Sequence, residues 1–275
     1  MSLNASKSAL ENMTFAEFRE RLPENPVILI PLGSHEEQGP HAPMGDFMLT
    51  KALSLMIAEK SGAIAAPTLP FGYADFFKTI PGGIQLRPST FMAVVEDMLT
   101  AFLDHGLDRM LILNGHTTNA PLIEQTVRRI RQEHGVAIPS IDLWQSISPG
   151  LWEEIYGADA ASVRGHGGDP LTSIYLHLFP DLMRMDLIEP SSKAEILGLQ
   201  SHGVRGVQFE GMPVNLPINV DEVNKHGMLG GKPERASAAT GQKLVEHLVG
   251  YCSRFIAHMR ANDLRNISQS KGGEG

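Results

Sequence analysis

Apolar residues in this chain follow two alternating spacings. Val27 to Leu32 is an unbroken apolar run behind Pro26, the pattern of a strand covered on both faces. Ile64 to Leu69, Met110 to Leu113 and Ala137 to Leu143 predict further strands. Between them the spacing becomes helical. Thr14 with Glu17 three residues on predicts a capping box that opens a short helix through Leu22. Met48 to Glu59 carries Leu49, Ala52, Leu53, Met56 and Ile57 at helical intervals and ends near Gly62. Ser89 to His105 aligns Met92, Val95, Leu99 and Phe102 on one stripe, with Gly106 as its C-cap. Further helices are expected from about Ala120 to His134 and from about Ala236 to Met259.

This strand–helix repetition predicts an α/β protein with a mostly parallel sheet and helices on both faces. Ligands of such sheets gather at the carboxyl ends of the strands. Residues 145–235 are richer in loops, with glycine-dense stretches at Gly165 to Gly168 and Gly227 to Gly231. No repeat, low-complexity block or linker interrupts the pattern, so one domain over 1–275 is expected, its core at about 14–262.

Charge narrows the partners. With 23 basic and 31 acidic residues the formal net charge is −8, which argues against nucleic acid or an anionic membrane surface. The single cysteine, Cys252, sits in an apolar helical pattern and reads as a core residue. No apolar run approaches the roughly 18 residues of a membrane span, and residues 1–22 lack the basic-then-apolar order of a signal peptide. The cytoplasm is the expected compartment. Met1-Ser2-Leu3 and Lys271-Gly272-Gly273-Glu274-Gly275 carry no pattern and are set aside.

The candidate chemistry lies in three clusters. Gly33-Ser34-His35-Glu36-Glu37-Gln38-Gly39-Pro40-His41-Ala42-Pro43-Met44-Gly45-Asp46 begins where the first strand ends. Its carboxylates and histidines suit Zn²⁺, Mn²⁺ or Fe²⁺, although a solvated acidic loop would look the same. Asn114-Gly115-His116-Thr117-Thr118-Asn119 follows the third strand directly, where a histidine is a ligand or a hydrogen-bonded structural residue. Arg164-Gly165-His166-Gly167-Gly168-Asp169-Pro170 places another His/Asp pair in a glycine-rich turn. A phosphate cradle is disfavoured there, because no lysine follows in the P-loop pattern and the GxGxxG spacing is absent.

Together the clusters resemble the creatininase family, whose motifs read Gly-Ser-x-Glu-Gln-His-Gly-Pro-His-x-Pro, Asn-Gly-His-Gly-Gly-Asn and His-Ala-Gly-Glu-x-Glu-Thr-Ser. Here they correspond to Gly33–Pro43, Asn114–Asn119 and His166–Ser173. Pro81-Gly82-Gly83 and the stretch from Gly227 to Gly241 are weaker echoes, and the match spans roughly residues 14 to 250. The resemblance implies a three-layer α/β/α sandwich, assembly as a homo-oligomer (commonly a hexamer), and one or two divalent metal ions used to hydrolyse C–N amide bonds, often cyclic, of small molecules. It implies Glu36 and His116 on one metal, Asp46 bridging, Asp169 as a shortened form of the third-motif glutamate ligand, and His166 as the acid/base.

This chain departs from the pattern in three respects. The family's second ligand, a histidine, is Gln38 here, and an amide oxygen is a poorer ligand than imidazole; His41 or Glu37 is the available replacement. The segment between His41 and Asp46 is one residue shorter than in many members. The aromatic residues that flank the second and third motifs in creatinine-hydrolysing members are replaced by Thr117 and Ser162. The competing reading is a non-catalytic metal- or ligand-binding member with a degenerate site. A phosphoesterase would want more basic side chains than Arg164, and neither Ser34 nor Ser173 sits in a Gly-x-Ser-x-Gly elbow. Trp144 and Trp152 are read as packing residues, with the pocket wall as the alternative.

Overall fold

A computed structural model describes residues 7–189 and 194–268. The terminal segments set aside above, Met1–Leu3 and Lys271–Gly275, lie outside the described residues.

The central sheet is parallel, in the order β2 (Ile64–Ala65), β1 (Ile28–Leu32), β3 (Met110–Asn114), β4 (Ser140–Asp142). Every residue of β1 and β3 is buried, and alternate side chains enter opposite cores. Leu29, Leu111 and Leu113 pack with α2 (Phe47–Ser61) and the long C-terminal helix α8 (Ala238–Arg260) through Leu49, Leu53, Leu244, Leu248 and Cys252. Ile28, Ile30, Leu32, Met110 and Ile112 pack instead with α3 (Pro88–Leu103) and α4 (Ala120–His134) through Phe91, Val95, Leu99 and Ile123. The period-two geometry of a strand sorts a continuous apolar run into two cores. The result is the expected three-layer α/β/α sandwich.

Local sequence sets most of the ends. Thr14 and Glu17 form the capping box of α1 (Phe15–Arg21) in both directions. Gly62 and Gly135 close α2 and α4 in the left-handed conformation, each N–H reaching the carbonyl four residues back.

Two of the expected strands are shorter than the apolar pattern. Pro67 interrupts Ile64–Leu69, leaving β2 as two residues with one further bridge at Leu69, because proline has no N–H for the ladder. In Ala137–Leu143 the Ala137 N–H is drawn to the Leu264 carbonyl and Pro139 follows, so β4 starts at Ser140. The α3 helix ends at Leu103, two residues before the expected end, and Gly106 closes the turn after it with φ +75°.

The loop-rich stretch contains α5 (Pro149–Tyr156), β5 (Gly165–His166) and α6 (Leu171–Leu178). Beyond them lie the hairpins β6 (Glu195–Ile196)–β7 (Leu199–Gln200) and β8 (Gly206–Phe209)–β9 (Met212–Asn215), then α7 (Val220–Val223) and β10 (Leu229–Gly230). β10 pairs antiparallel with β5, opposing Leu229 to His166. α6 packs on α8, with Gly241 against the Ser173 backbone. Among the described residues no helix is long and apolar enough to cross a membrane.

Candidate metal centre

The first and second clusters meet at the carboxyl ends of β1 and β3. Asp46 stands at the start of α2, but its carboxylate turns back into the loop. It accepts the Ser34 N–H at 2.6 Å and the Ser34 hydroxyl at 3.1 Å. The turn is closed by Gly45, whose φ of +87° suits glycine and whose N–H donates to the Glu36 carbonyl at 2.6 Å. Glu36 is thereby held beside Asp46.

His116 arrives from the end of β3, its backbone N–H on the Asn114 side chain. Its Nδ1 lies 2.9 Å from Asp46 Oδ2 and 3.3 Å from Glu36 Oε1. Its Nε2 faces the Tyr73 carbonyl at 3.1 Å and the Thr118 hydroxyl at 2.6 Å. A carbonyl can only accept, so the Tyr73 contact keeps the proton of neutral His116 on Nε2 and leaves the Nδ1 lone pair facing the two carboxylates.

One donor atom each from Glu36, Asp46 and His116 falls within 4.8 Å of the others, and all three residues are buried. Glu36 Oε2 is itself buried with no hydrogen-bond partner. Two carboxylates, one imidazole with a fixed tautomer and an orphaned oxygen fit a divalent cation. The same crowding of buried carboxylates and imidazole raises the affinity of the site for protons. Burial pushes Glu36 up to about 7, opposed by His116 and His166. Burial disfavours the charged form of His116, but Glu36 and Asp46 outweigh it and hold the imidazole up at about 9.

The remaining candidates are arranged differently. Gln38 lines the same cavity and its amide N–H donates to Glu36 Oε1 at 3.3 Å. His41 does not reach the centre: its Nε2 lies 3.3 Å from the Thr172 hydroxyl, Nδ1 has no partner, and burial lowers its pKa. Glu37 is also turned away, accepting the Gly39 N–H at 2.6 Å and facing His166 Nε2 at 2.9 Å. Neither stands where the Gln38 position leaves a ligand missing. Asp169 lines the cavity outside the group, with the Ser173 N–H and hydroxyl at 3.0 and 2.9 Å and the Tyr156 hydroxyl on its two oxygens. Burial raises its pKa against these donors.

His166 presents a second arrangement. Its ring stacks on Phe77, centroids 4.3 Å apart, and burial is opposed by the Glu37 carboxylate, which raises the imidazole above its ordinary pKa. Gly227 makes room for this pair, because a Cβ there would collide with the Glu37 carboxylate. The sequence reading misses this His–carboxylate pair; the visible signal was Glu37 standing where the resembling motif has glutamine. Phe77 and the Tyr156 contact to Asp169 gave no such signal. Ser34 and Ser173 are buried and bonded to Asp46 and Asp169, which leaves neither as an exposed nucleophile.

The centre forms part of the wall of a cavity of about 830 Å³. Trp144 and Trp152, both buried, line it, Trp144 donating to the Gly115 carbonyl.

The family model for creatininase (creatinine amidohydrolase) matches residues 11–256. A creatinine amidohydrolase of Pseudomonas putida is 28% identical over 197 residues, 64% of this chain and 74% of that protein. A 3-dehydro-scyllo-inosose hydrolase of Thermotoga maritima is 26% identical over 258 residues, covering 90% and 81%. A mycofactocin precursor peptide peptidase of Mycobacterium ulcerans is 26% identical over 248 residues, covering 84% and 85%. Among solved structures, a creatininase variant of zinc–zinc type superimposes with a TM-score of 0.77 at 23% identity, covering 92% of this chain and 98% of that one. A manganese creatininase gives 0.76 at 23% identity with the same coverage.

Proposed function

The chain belongs to the creatininase family, and on that premise we propose that it is a metal-dependent hydrolase of C–N amide bonds in small molecules. The observation that carries this reading is the convergence of Glu36, Asp46 and His116 on one cavity wall with the His166–Glu37 pair lining the same space. The relatives act, by their names, on creatinine, an inosose and a precursor peptide; hydrolysis is what those names share.

In this proposal Glu36, Asp46 and His116 hold a divalent ion, Zn²⁺, Mn²⁺ or Fe²⁺. Such an ion, when bound, polarises the carbonyl under attack and lowers the pKa of a water from 15.7 to about 7. The protein's own residues perform the proton transfer. His166 Nε2–H is tied to Glu37 Oε1, so the proton of the imidazolium that is free to move is the one on Nδ1. Glu37 favours the charged ring, which suits His166 to protonate a leaving nitrogen, since an amine departs poorly unless protonated. The lack of an imidazole at Gln38 and the position of Asp169 outside the Glu36–Asp46–His116 group support one tightly held ion rather than two.

The test is a hydrolysis screen of cyclic and linear amides, run with the metal-loaded protein and after chelation. Hydrolysis that is lost with the metal and restored by Zn²⁺ or Mn²⁺ supports the reading; a fully loaded protein that cleaves no amide overturns it. The same reading includes one domain, a cytoplasmic location, and a homo-oligomer, a hexamer by family expectation. Exposed Phe209, Met212 and Val214 on the β8–β9 hairpin support assembly.

A further inference from the structure

The cavity is larger than a small cyclic amide needs. At about 830 Å³ it lies in the upper part of the range of about 300–1,000 Å³ found for sites that take drug-sized ligands. Much of its lining is apolar and aromatic, from Phe76, Phe77, Trp144, Ile147, Trp152 and Leu171. A substrate that fills it therefore carries a bulky apolar part beside its scissile bond.

Two arginines line the same space. Arg164 precedes β5 by one residue and is two residues before His166. Extended backbone turns residues i and i+2 to one side, about 7 Å apart along the chain, which accounts for both residues lining one cavity. The Arg164 guanidinium lies over the Trp152 ring, 5.3 Å from its centroid, and the indole N–H of Trp152 has no acceptor among the described residues. Arg205 reaches the cavity from the turn before β8. Close to the cavity other cations are neutralised: Lys232 and Arg235 share Asp159. Arg164 and Arg205 form no ion pair among the described residues, although Glu153 lines the same cavity. In a chain of net charge −8, two arginines without an acidic partner among the described residues thus line the cavity that also holds the Glu36–Asp46–His116 group.

We infer that Arg164 and Arg205 form a subsite for an anionic oxygen group of the substrate, a carboxylate or a phosphate ester. The substrate class is then an apolar amide bearing that group, such as an N-acyl amino acid or the carboxyl end of a short peptide. Guanidinium takes either anion through paired N–H donors. The inference rests on the amide-hydrolase reading for the scissile bond, but not for the anion site itself.

The test measures binding of three probes to the metal-loaded protein by calorimetry: N-acetylphenylalanine, its neutral amide N-acetylphenylalaninamide, and 2-phenylethyl phosphate. At least one anion should bind about tenfold or more tightly than the neutral amide. In the Arg164→Gln, Arg205→Gln double variant that ratio should fall towards one while metal content is unchanged. A stronger response to the phosphate assigns the anion as phosphate, and a stronger response to the carboxylate assigns it as carboxylate. Equal binding of charged and neutral probes overturns the site, as does the absence of binding by either anion at millimolar concentration. A preference that survives in the double variant also overturns it, because the metal is then holding the anion. Anion binding without turnover of any amide leaves the subsite standing and removes the hydrolase reading instead.

Discussion

A cation bound by Glu36 and His116 competes with protons for both groups. With burial holding Glu36 up at about 7, and the two carboxylates overcoming burial to hold His116 at about 9, the metal-free site carries the imidazolium and a partly protonated Glu36 at neutral pH. Ligation requires ionised Glu36 and neutral His116, so binding releases protons and apparent affinity rises with pH. Metal titrations between pH 6 and 9 should show affinity increasing across the interval and levelling above about 9; a flat profile contradicts the assignment. In the proposed mechanism the proton on His166 plays a different part. His166→Ala should leave metal content intact and lower turnover by about 10²–10⁴-fold, the scale of a lost acid/base; loss of metal together with activity would make His166 a ligand. The clusters were legible as residue types at strand ends, but their wiring was not. Sequence neighbours Glu36 and Glu37 diverge, one to His116 and one to His166, because partners 80 and 129 residues away select their orientations, and no local spacing encodes that choice.

Elements position these residues through close packing. Gly241 of α8 lies against the Ser173 backbone of α6, where a Cβ would collide with the Ser173 carbonyl. Ser173 in turn donates to Asp169 through both its N–H and its hydroxyl. Gly241→Ala should therefore destabilise the protein by about 1–3 kcal/mol, a fall in melting temperature of a few degrees for a chain of this size. Thermal unfolding checks it, and an unchanged midpoint would show that the helices yield freely. Continuous apolar runs and a period of 3.6 disclosed the four main strands and the long helices. They overran β2 and β4, because Pro67 has no N–H to give the ladder and the Leu264 carbonyl takes the Ala137 N–H. The short strands β5 and β10 were hidden in glycine-rich loops, since two-residue strands leave no periodicity to read.

At the scale of the whole molecule, fold and family rest on ordered motifs spread along the chain, and they survive the departure at Gln38. Assembly is less directly written, as the β8–β9 apolar surface emerges only when the hairpin forms. Light scattering at micromolar concentration should give a homo-oligomer, with a hexamer as the expected mass; a monomer throughout contradicts it. The central claim is the three-residue metal centre, and elemental analysis tests it most directly. Protein purified without chelator should carry close to one Zn²⁺, Mn²⁺ or Fe²⁺ per chain, and His116→Ala, folded by circular dichroism, should lose most of it. Full occupancy with unchanged affinity in that variant would contradict the account.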